Sequence, residues 1–579
     1  MLQRLEKLLS DRRAPLWLAI FAIVLCLPAL RFGLQADDWL FRWKVERGSA
    51  PWFMFEFDPA EGPATRASGM LVWWASPELA VRFLRPLASL SHALDFTLWP
   101  DAARWMRFCN GLIYAASVLV AAQLYRRFAP SLLVAGLAGL LYAVDEGHAF
   151  STGWIAGRNT LLASLFALLA LALHARARES GRALFSLGSC ASVALALGSA
   201  EAGVSALSLL VAYALVMEPG SLLARLRTLL APLGLGLCWA VIYVSLGCGV
   251  RGSSLYRELS SPLSTSIEGL LDLPIWVVEL FGPSGYPFSL FFPALWVRLG
   301  ALPVALGLLT LLWPALRASR ACRFFALATL LSLAPLLCTL PTGRVLIGPS
   351  FGALGWVACA IDAARAQGTG LDRLRVRVLL GIHLVLALLM FVPTSGGTQG
   401  FANGSAQLVQ HAQRDRELIV LATPMELLSN FALLELDTKG RTVHKPRAIH
   451  QLYTGQSALR VERIDARTLD MEVARGWGYN VIERVFCRTE QMPRAGSEVR
   501  LPSFTARVLS STPEGMPQRV RFIFPTALED PARKWLVWRD KRVVPWQPPT
   551  LGAREEIAPI SFMRALDAFG GSDAVQREH

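Results

Sequence analysis

The sequence holds little charge and few cysteines, and it shows no clear internal repeat and no low-complexity tract. Only 17% of its 579 residues are Asp, Glu, Lys or Arg, against roughly 25% in a typical soluble domain. That shortage excludes an ordinary water-exposed globule. The nine cysteines lie mostly inside apolar runs, with Cys487 alone in the C-terminal part, so no disulfide framework is indicated. Lysine is scarce beside arginine, a bias that fits a GC-rich bacterial source. The N-terminus has a basic start and an apolar core, but Leu34 and Ala36 make a poor small-x-small cleavage site, which predicts an uncleaved anchor rather than a signal peptide. A net charge of +14 would suit nucleic acid in a soluble chain. Here the arginines fall in short loops between apolar runs, where they set orientation in a bilayer, and no nucleic-acid partner is expected.

What the chain has in quantity is apolar length. With 54% apolar residues and a mean hydropathy of +0.42, it reads as a polytopic α-helical membrane protein. Eleven apolar runs suit spanning helices, at 14–30, 105–124, 132–144, 160–173, 184–197, 202–216, 229–246, 302–316, 324–340, 345–361 and 378–392. Several are shorter than the roughly 17 to 25 residues a lone span needs, so their ends extend into flanking polar residues. Arginines gather in alternate loops: Arg12 and Arg13, Arg126 and Arg127, Arg176 to Arg182, Arg225 and Arg227, Arg317 to Arg323, and Arg365 to Arg377. The positive-inside rule makes these loops and the N-terminus cytoplasmic. The alternation requires a turn at 198–201. The remaining loops and the C-terminus are then external, which in a bacterial inner membrane means periplasmic.

Three external segments are long: 31–104, 248–298 and everything after Pro393. The middle one contains an apolar stretch at 267–281 broken by Pro274, which lies in the interface plane, re-enters, or hides an extra helix pair that would raise the total to thirteen. The division of the chain is thus a transmembrane domain over 1–393 and an external soluble domain over 394–579, within the usual size range for one domain. Strand patterns at 418–421 and 519–524, and a hairpin joining 535–538 to 543–546, predict an α+β or mostly β fold there.

The acidic and basic positions next to these spans are the candidates for chemistry. Asp37-Asp38-Trp39 follows the first run closely. An unpaired carboxylate at that depth is expensive unless solvated, paired or metal-bound; the bland alternative is solvated acids beside an anchoring tryptophan. The second external loop runs from Asp145-Glu146-Gly147-His148 to Trp154-Ile155-Ala156-Gly157-Arg158. Asp145 either orients substrate or shares a hard divalent cation, magnesium or manganese, with Asp37. His148 is a ligand or proton carrier, or else a hydrogen-bonded structural residue. Arg158 binds phosphate or pairs with Asp145. Arg344, in the turn Pro341-Thr342-Gly343-Arg344, has a planar fork suited to phosphate oxygens, or it snorkels to headgroups. Arg85 and Glu201 complete the set.

The order of a span, Ala36-Asp37-Asp38-Trp39, then Phe83-Leu84-Arg85-Pro86-Leu87, then Asp145-Glu146-Gly147-His148 with Trp154-Ile155-Ala156-Gly157-Arg158 resembles the GT-C membrane glycosyltransferases. Among them it is similar to bacterial relatives of protein O-mannosyltransferases and of the aminoarabinose transferases that modify lipid A. The resemblance covers roughly residues 14–393. It implies a polyprenyl-phosphate sugar donor, inversion at the anomeric carbon, and a first-loop acid as base. By motif position that base is Asp37 or Asp38, with Asp145 or Glu146 as the second-loop acid. The eukaryotic-type signature has Asp-Glu where this chain has Asp-Asp, so the choice of base stays open. The expected activity is transfer of a hexosyl or pentosyl group to an acceptor hydroxyl on a protein, lipid or glycan, with Arg344 or Arg158 on the donor phosphate and Glu146, His148 and Arg85 lining the substrate site. Two other classes stay open. A lipid or glycan transporter or flippase should show inverted repeats and mid-membrane charges, and a non-catalytic assembly protein would use its spans only as an anchor.

Overall fold

Every one of the eleven apolar runs is helical in the computed structural model, which describes residues 2–257, 262–283, 292–438 and 442–560. The chain is a polytopic α-helical membrane protein with a sheet-containing C-terminal unit. Among the described residues seven helices are long and apolar enough to cross a bilayer, or eight if the pair Leu132–Val144 and Glu146–Gly153, bent by 46°, is one broken span. The runs at 184–197, 202–216 and 229–246 become the shorter apolar helices Ala183–Leu197, Glu201–Met217 and Leu230–Ser245, at or below the lower limit for a lone span. The stretch at 267–281 forms two short helices, Pro262–Leu271 and Leu273–Phe281, with Pro274 in the first turn of the second. Ten and nine residues are too few to span, and proline there ends one helix and starts the next. No extra spanning pair is formed among the described residues; the parts of this segment at 258–261 and 284–291 lie outside them.

Three strands tie the two long loops together in an antiparallel sheet ordered β1 (Glu56–Phe57), β2 (Ala80–Arg82), β3 (Gly249–Arg251). In the C-terminal unit β4 (Glu417–Val420) lies parallel between β5 (Ala448–Gln451) and β11 (Arg533–Arg539), and β12 (Arg542–Pro545) closes the sheet as a hairpin partner of β11. That hairpin is the one expected at 535–546. Its two turn residues, Asp540 and Lys541, have φ of 46° and 70°, the positive pair that a twist-matched two-residue turn demands. A second, antiparallel sheet runs β13 (Arg554–Ile557), β6 (Leu459–Arg463), β7 (Thr468–Val473), β10 (Pro517–Ile523), β9 (Thr505–Ser511), β8 (Glu498–Arg500). Alternation places Val520 and Phe522 of β10 in the core. The expected α+β character is met; the tail at 561–579 lies outside the described residues.

The core of this unit is not made by residues after 393 alone. Leu71, Val72, Trp73, Trp74 and Ala75 of the first long loop are buried in it. Trp73 Nε1 donates to the Leu452 carbonyl (3.0 Å) and Trp74 Nε1 to that of Glu483 (3.2 Å). From the second loop, Ser253 Oγ and Ser254 Oγ donate to the carbonyls of Val485 (2.6 Å) and Cys487 (2.8 Å). Gly69 shows how close the approach is: its φ is +80°, and a Cβ there would lie 2.0 Å from the Ile449 carbonyl oxygen.

Candidate active site

Asp37 and Asp38 open the helix Asp37–Glu46, which leaves the first span through the short segment 32–36. That segment is held by Arg107 of the helix Ala103–Phe128. Its guanidinium is buried and donates from Nε to the Gly153 carbonyl (2.8 Å), from Nη1 to that of Phe32 (2.6 Å) and from Nη2 to that of Gly33 (2.7 Å), with Asp38 Oδ2 at 3.7 Å. The Asp38 carboxylate accepts from the backbone N–H of Gln35 (3.0 Å) and of Ala156 (3.0 Å) and has no exposed surface. Between them sits Ala36 at φ 48° and ψ −121°, a conformation disfavoured for a residue with a Cβ and tolerated where the surroundings over-determine it.

The two neighbouring carboxylates therefore differ. Asp38 stitches the first loop to the second, whereas Asp37 is half-buried and its carboxylate takes no hydrogen bond from the described residues. Desolvation pushes the Asp37 carboxyl above the usual carboxylate range, and the charges of Arg344 and Arg85 pull it back down. Asp38 is pushed up to about 7, chiefly by burial, against the opposing effects of Arg107 and the two backbone donors.

The second loop and the third turn close on the same place. Asp145 sits at the bend between Leu132–Val144 and Glu146–Gly153 and caps the latter by accepting from Gly147 N–H (3.0 Å). Glu146, half-buried, follows it. The turn carrying Arg344 packs against them: a Cβ built on Gly343 would lie 3.4 Å from Gly147 Cα and 3.9 Å from Glu279 Oε2. Ser151 Oγ donates to the Arg344 carbonyl (3.4 Å), and the Arg344 guanidinium carbon is 5.9 Å from the centre of the Trp154 ring. Arg85 pairs with Glu201 (2.6 Å) and lies 4.1 Å over the Phe83 ring, at a point where its charge still acts on Asp37.

Two sequence candidates are held by buried partners. Arg158 is buried, ion-paired with Asp95 rather than Asp145, and donates to Asn110 Oδ1 (2.7 Å) and the Met106 carbonyl (2.9 Å). His148 is 1% exposed. Its Nε2 meets Ser350 Oγ at 2.7 Å and lies 3.6 Å from Asp145 Oδ2, and its Nδ1 meets the Tyr142 carbonyl at 3.1 Å and Tyr114 hydroxyl at 3.2 Å. Glu279 is the residue the sequence reading passed over. It is the one charged residue of the otherwise apolar helix Leu273–Phe281. Among the described residues no three His, Cys, Asp or Glu side chains gather around a common cation position; the cation expected between Asp37 and Asp145 would rest on two carboxylates, with water or substrate phosphate completing its shell.

No family model and no curated protein matches the sequence. Among solved structures the chain is similar to ArnT from Cupriavidus metallidurans bound to undecaprenyl phosphate, with 14% identity and a TM-score of 0.38 over 76% of this chain and 90% of that one. The apo state of the same ArnT gives 13% identity and a TM-score of 0.38, covering 76% and 89%. The apo oligosaccharyltransferase of Archaeoglobus fulgidus gives 12% identity and a TM-score of 0.41, covering 76% of this chain and 65% of that chain.

Proposed function

We propose that the chain is an inverting glycosyltransferase that moves a sugar from a polyprenyl-phosphate donor to an acceptor hydroxyl at the external, periplasmic face of a bacterial inner membrane. The observation that carries this reading is the convergence of Asp37, the Asp145–Glu146 loop and the Arg344 turn, which come from segments about 100 and 200 residues apart, with Asp37 unengaged while its neighbour Asp38 is locked in place. Arginine clusters gather at the other ends of the same helices, which supports the external placement.

The chemistry follows from charge and reach. The acceptor hydroxyl oxygen attacks the anomeric carbon, the bond from that carbon to the lipid phosphate oxygen breaks, and Asp37 takes the hydroxyl proton. The departing lipid phosphate gains negative charge, which Arg344, and Arg85 at longer range, offset at a half-buried position. A phosphate is already a good leaving group, so no strong acid is needed opposite the base. Asp145 and Glu146 border the site on the Arg344 side and are placed to orient sugar or acceptor hydroxyls.

Asp37→Asn is expected to lower transfer from a polyprenyl-phosphate sugar by roughly 10² to 10⁴-fold, the range for removing a general base, with the protein still folded. Full transfer activity in this variant would remove Asp37 as the base.

A further inference from the structure

At the ends of the helices Ala14–Cys26 and Ala103–Phe128 that lie away from Asp37, an open groove of about 380 Å³ runs between the two helices. Its rim carries Arg12, Arg13 and Arg126, with Gln123 between them, and its wall is formed by Leu16 and Leu119. None of the three guanidinium groups is ion-paired with an acid among the described residues. Arg126 donates to the backbone carbonyl of Asp11 (2.7 Å), and the one nearby carboxylate, that of Asp11, is occupied by the Arg13 backbone N–H (2.7 Å). The cavity thus sets three guanidinium groups against the single carboxylate of Asp11, a net positive charge, and its apolar wall reaches the outer surface of the bundle, where Leu16 is 49% exposed and the adjacent Trp17 46% exposed.

We propose that this cavity is a binding site for an anionic phospholipid of the leaflet opposite the Asp37 face. Its phosphate would sit among Arg12, Arg13 and Arg126, and an acyl chain would run along Leu16 and Leu119. Basic pockets between spanning helices at the arginine-rich side recognise such headgroups, guanidinium forks match phosphate oxygens, and the apolar wall distinguishes a lipid from free phosphate, which has nothing to place against Leu16. The site lies outside the proposed transfer chemistry and stands or falls separately from it.

The test is native mass spectrometry of the full chain, delipidated in detergent and offered phosphatidylglycerol, cardiolipin, phosphatidylcholine or inorganic phosphate. The wild type is expected to retain the anionic lipids over phosphatidylcholine. Arg12→Gln, Arg13→Gln and Arg126→Gln combined are expected to abolish that preference, whereas Arg225→Gln with Arg227→Gln, on another arginine-rich loop, keeps it. Each arginine removed is expected to weaken binding about fivefold, so Arg12→Gln alone, at an exposed position, reads the effect even if the triple variant fails to fold. Retention of anionic lipid unchanged in Arg12→Gln and in the triple variant overturns the proposal. So does equal retention of phosphatidylcholine, or displacement of the lipid by millimolar inorganic phosphate.

Discussion

A carboxylate that accepts two backbone N–H groups belongs to the fold, and Asp38 is held in this way while Asp37 beside it is not. Asn at position 38 would turn an amide N–H₂ toward a backbone donor and leave Arg107 without its acid, a buried mismatch that costs about 1–3 kcal/mol. Asp38→Asn is therefore expected to lower the melting temperature and to reduce transfer less than Asp37→Asn does. Thermal unfolding and kcat measured side by side check this, and equal loss of activity with an unchanged melting temperature would reverse the assignment. The charge partners of Asp37 give a second prediction. Arg344 and Arg85 lower the proton affinity of Asp37 that desolvation raises, so removing either cation lets its pKa rise further. A base must be ionised to act, so the acid limb of kcat/KM against pH moves to higher pH in Arg344→Gln and, by a smaller step, in Arg85→Gln. A limb that stays in place in both variants would exclude Asp37 as the titrating group. Arg158 differs from Arg344 in this respect: the same guanidinium fork is there held by the buried Asp95 and Asn110.

At the scale of elements, the first long loop is a strap rather than a free connector. It leaves the helix Asp37–Glu46, folds β1 against β2, pairs β2 with β3 of the 248–298 segment, and inserts Trp73 and Trp74 among the sheets. Both tryptophans are essentially unexposed and both indole N–H groups reach carbonyls. Trp74→Ala is expected to cost about 3–5 kcal/mol, whereas Trp52→Ala in the same loop, at a side chain 51% exposed, should leave stability nearly unchanged. Thermal unfolding of the two variants decides; equal melting temperatures would show that the loop's insertion does not contribute to stability. The short helices Pro262–Leu271 and Leu273–Phe281 play a comparable part on the other side, since the second carries Glu279 to the Arg344 turn.

For the whole molecule, the shared core means that the transmembrane part and the C-terminal unit are not independent modules. Ending the chain after Pro393 keeps Asp37, Asp145, Glu146 and Arg344 but strips the cover from Leu71, Trp73 and Trp74, leaving a contiguous apolar patch in water. Such a truncated protein is expected to aggregate or to lose most transfer activity despite retaining every proposed site residue. Size-exclusion chromatography with a transfer assay tests this, and a monodisperse truncated protein with full activity would show that the two parts work separately.

The sequence by itself determined the membrane class, the positions of the eleven apolar helical runs though not how many of them span, the placement of acids and arginines near their ends, and the hairpin between 535–538 and 543–546. Each of these is local: a span needs an unbroken apolar run and a turn needs its own residues, so both leave a pattern within a few tens of positions. Only the tertiary structure decided that Asp38 is tied to Ala156 and Asp37 is not, that Arg158 meets Asp95, that Glu279 reaches the Arg344 turn, and that Trp73 and Trp74 complete a core built mainly after residue 417. These contacts join segments from about 60 to 400 residues apart in the chain. Such pairings arise from packing, which leaves no periodicity along the sequence to announce them.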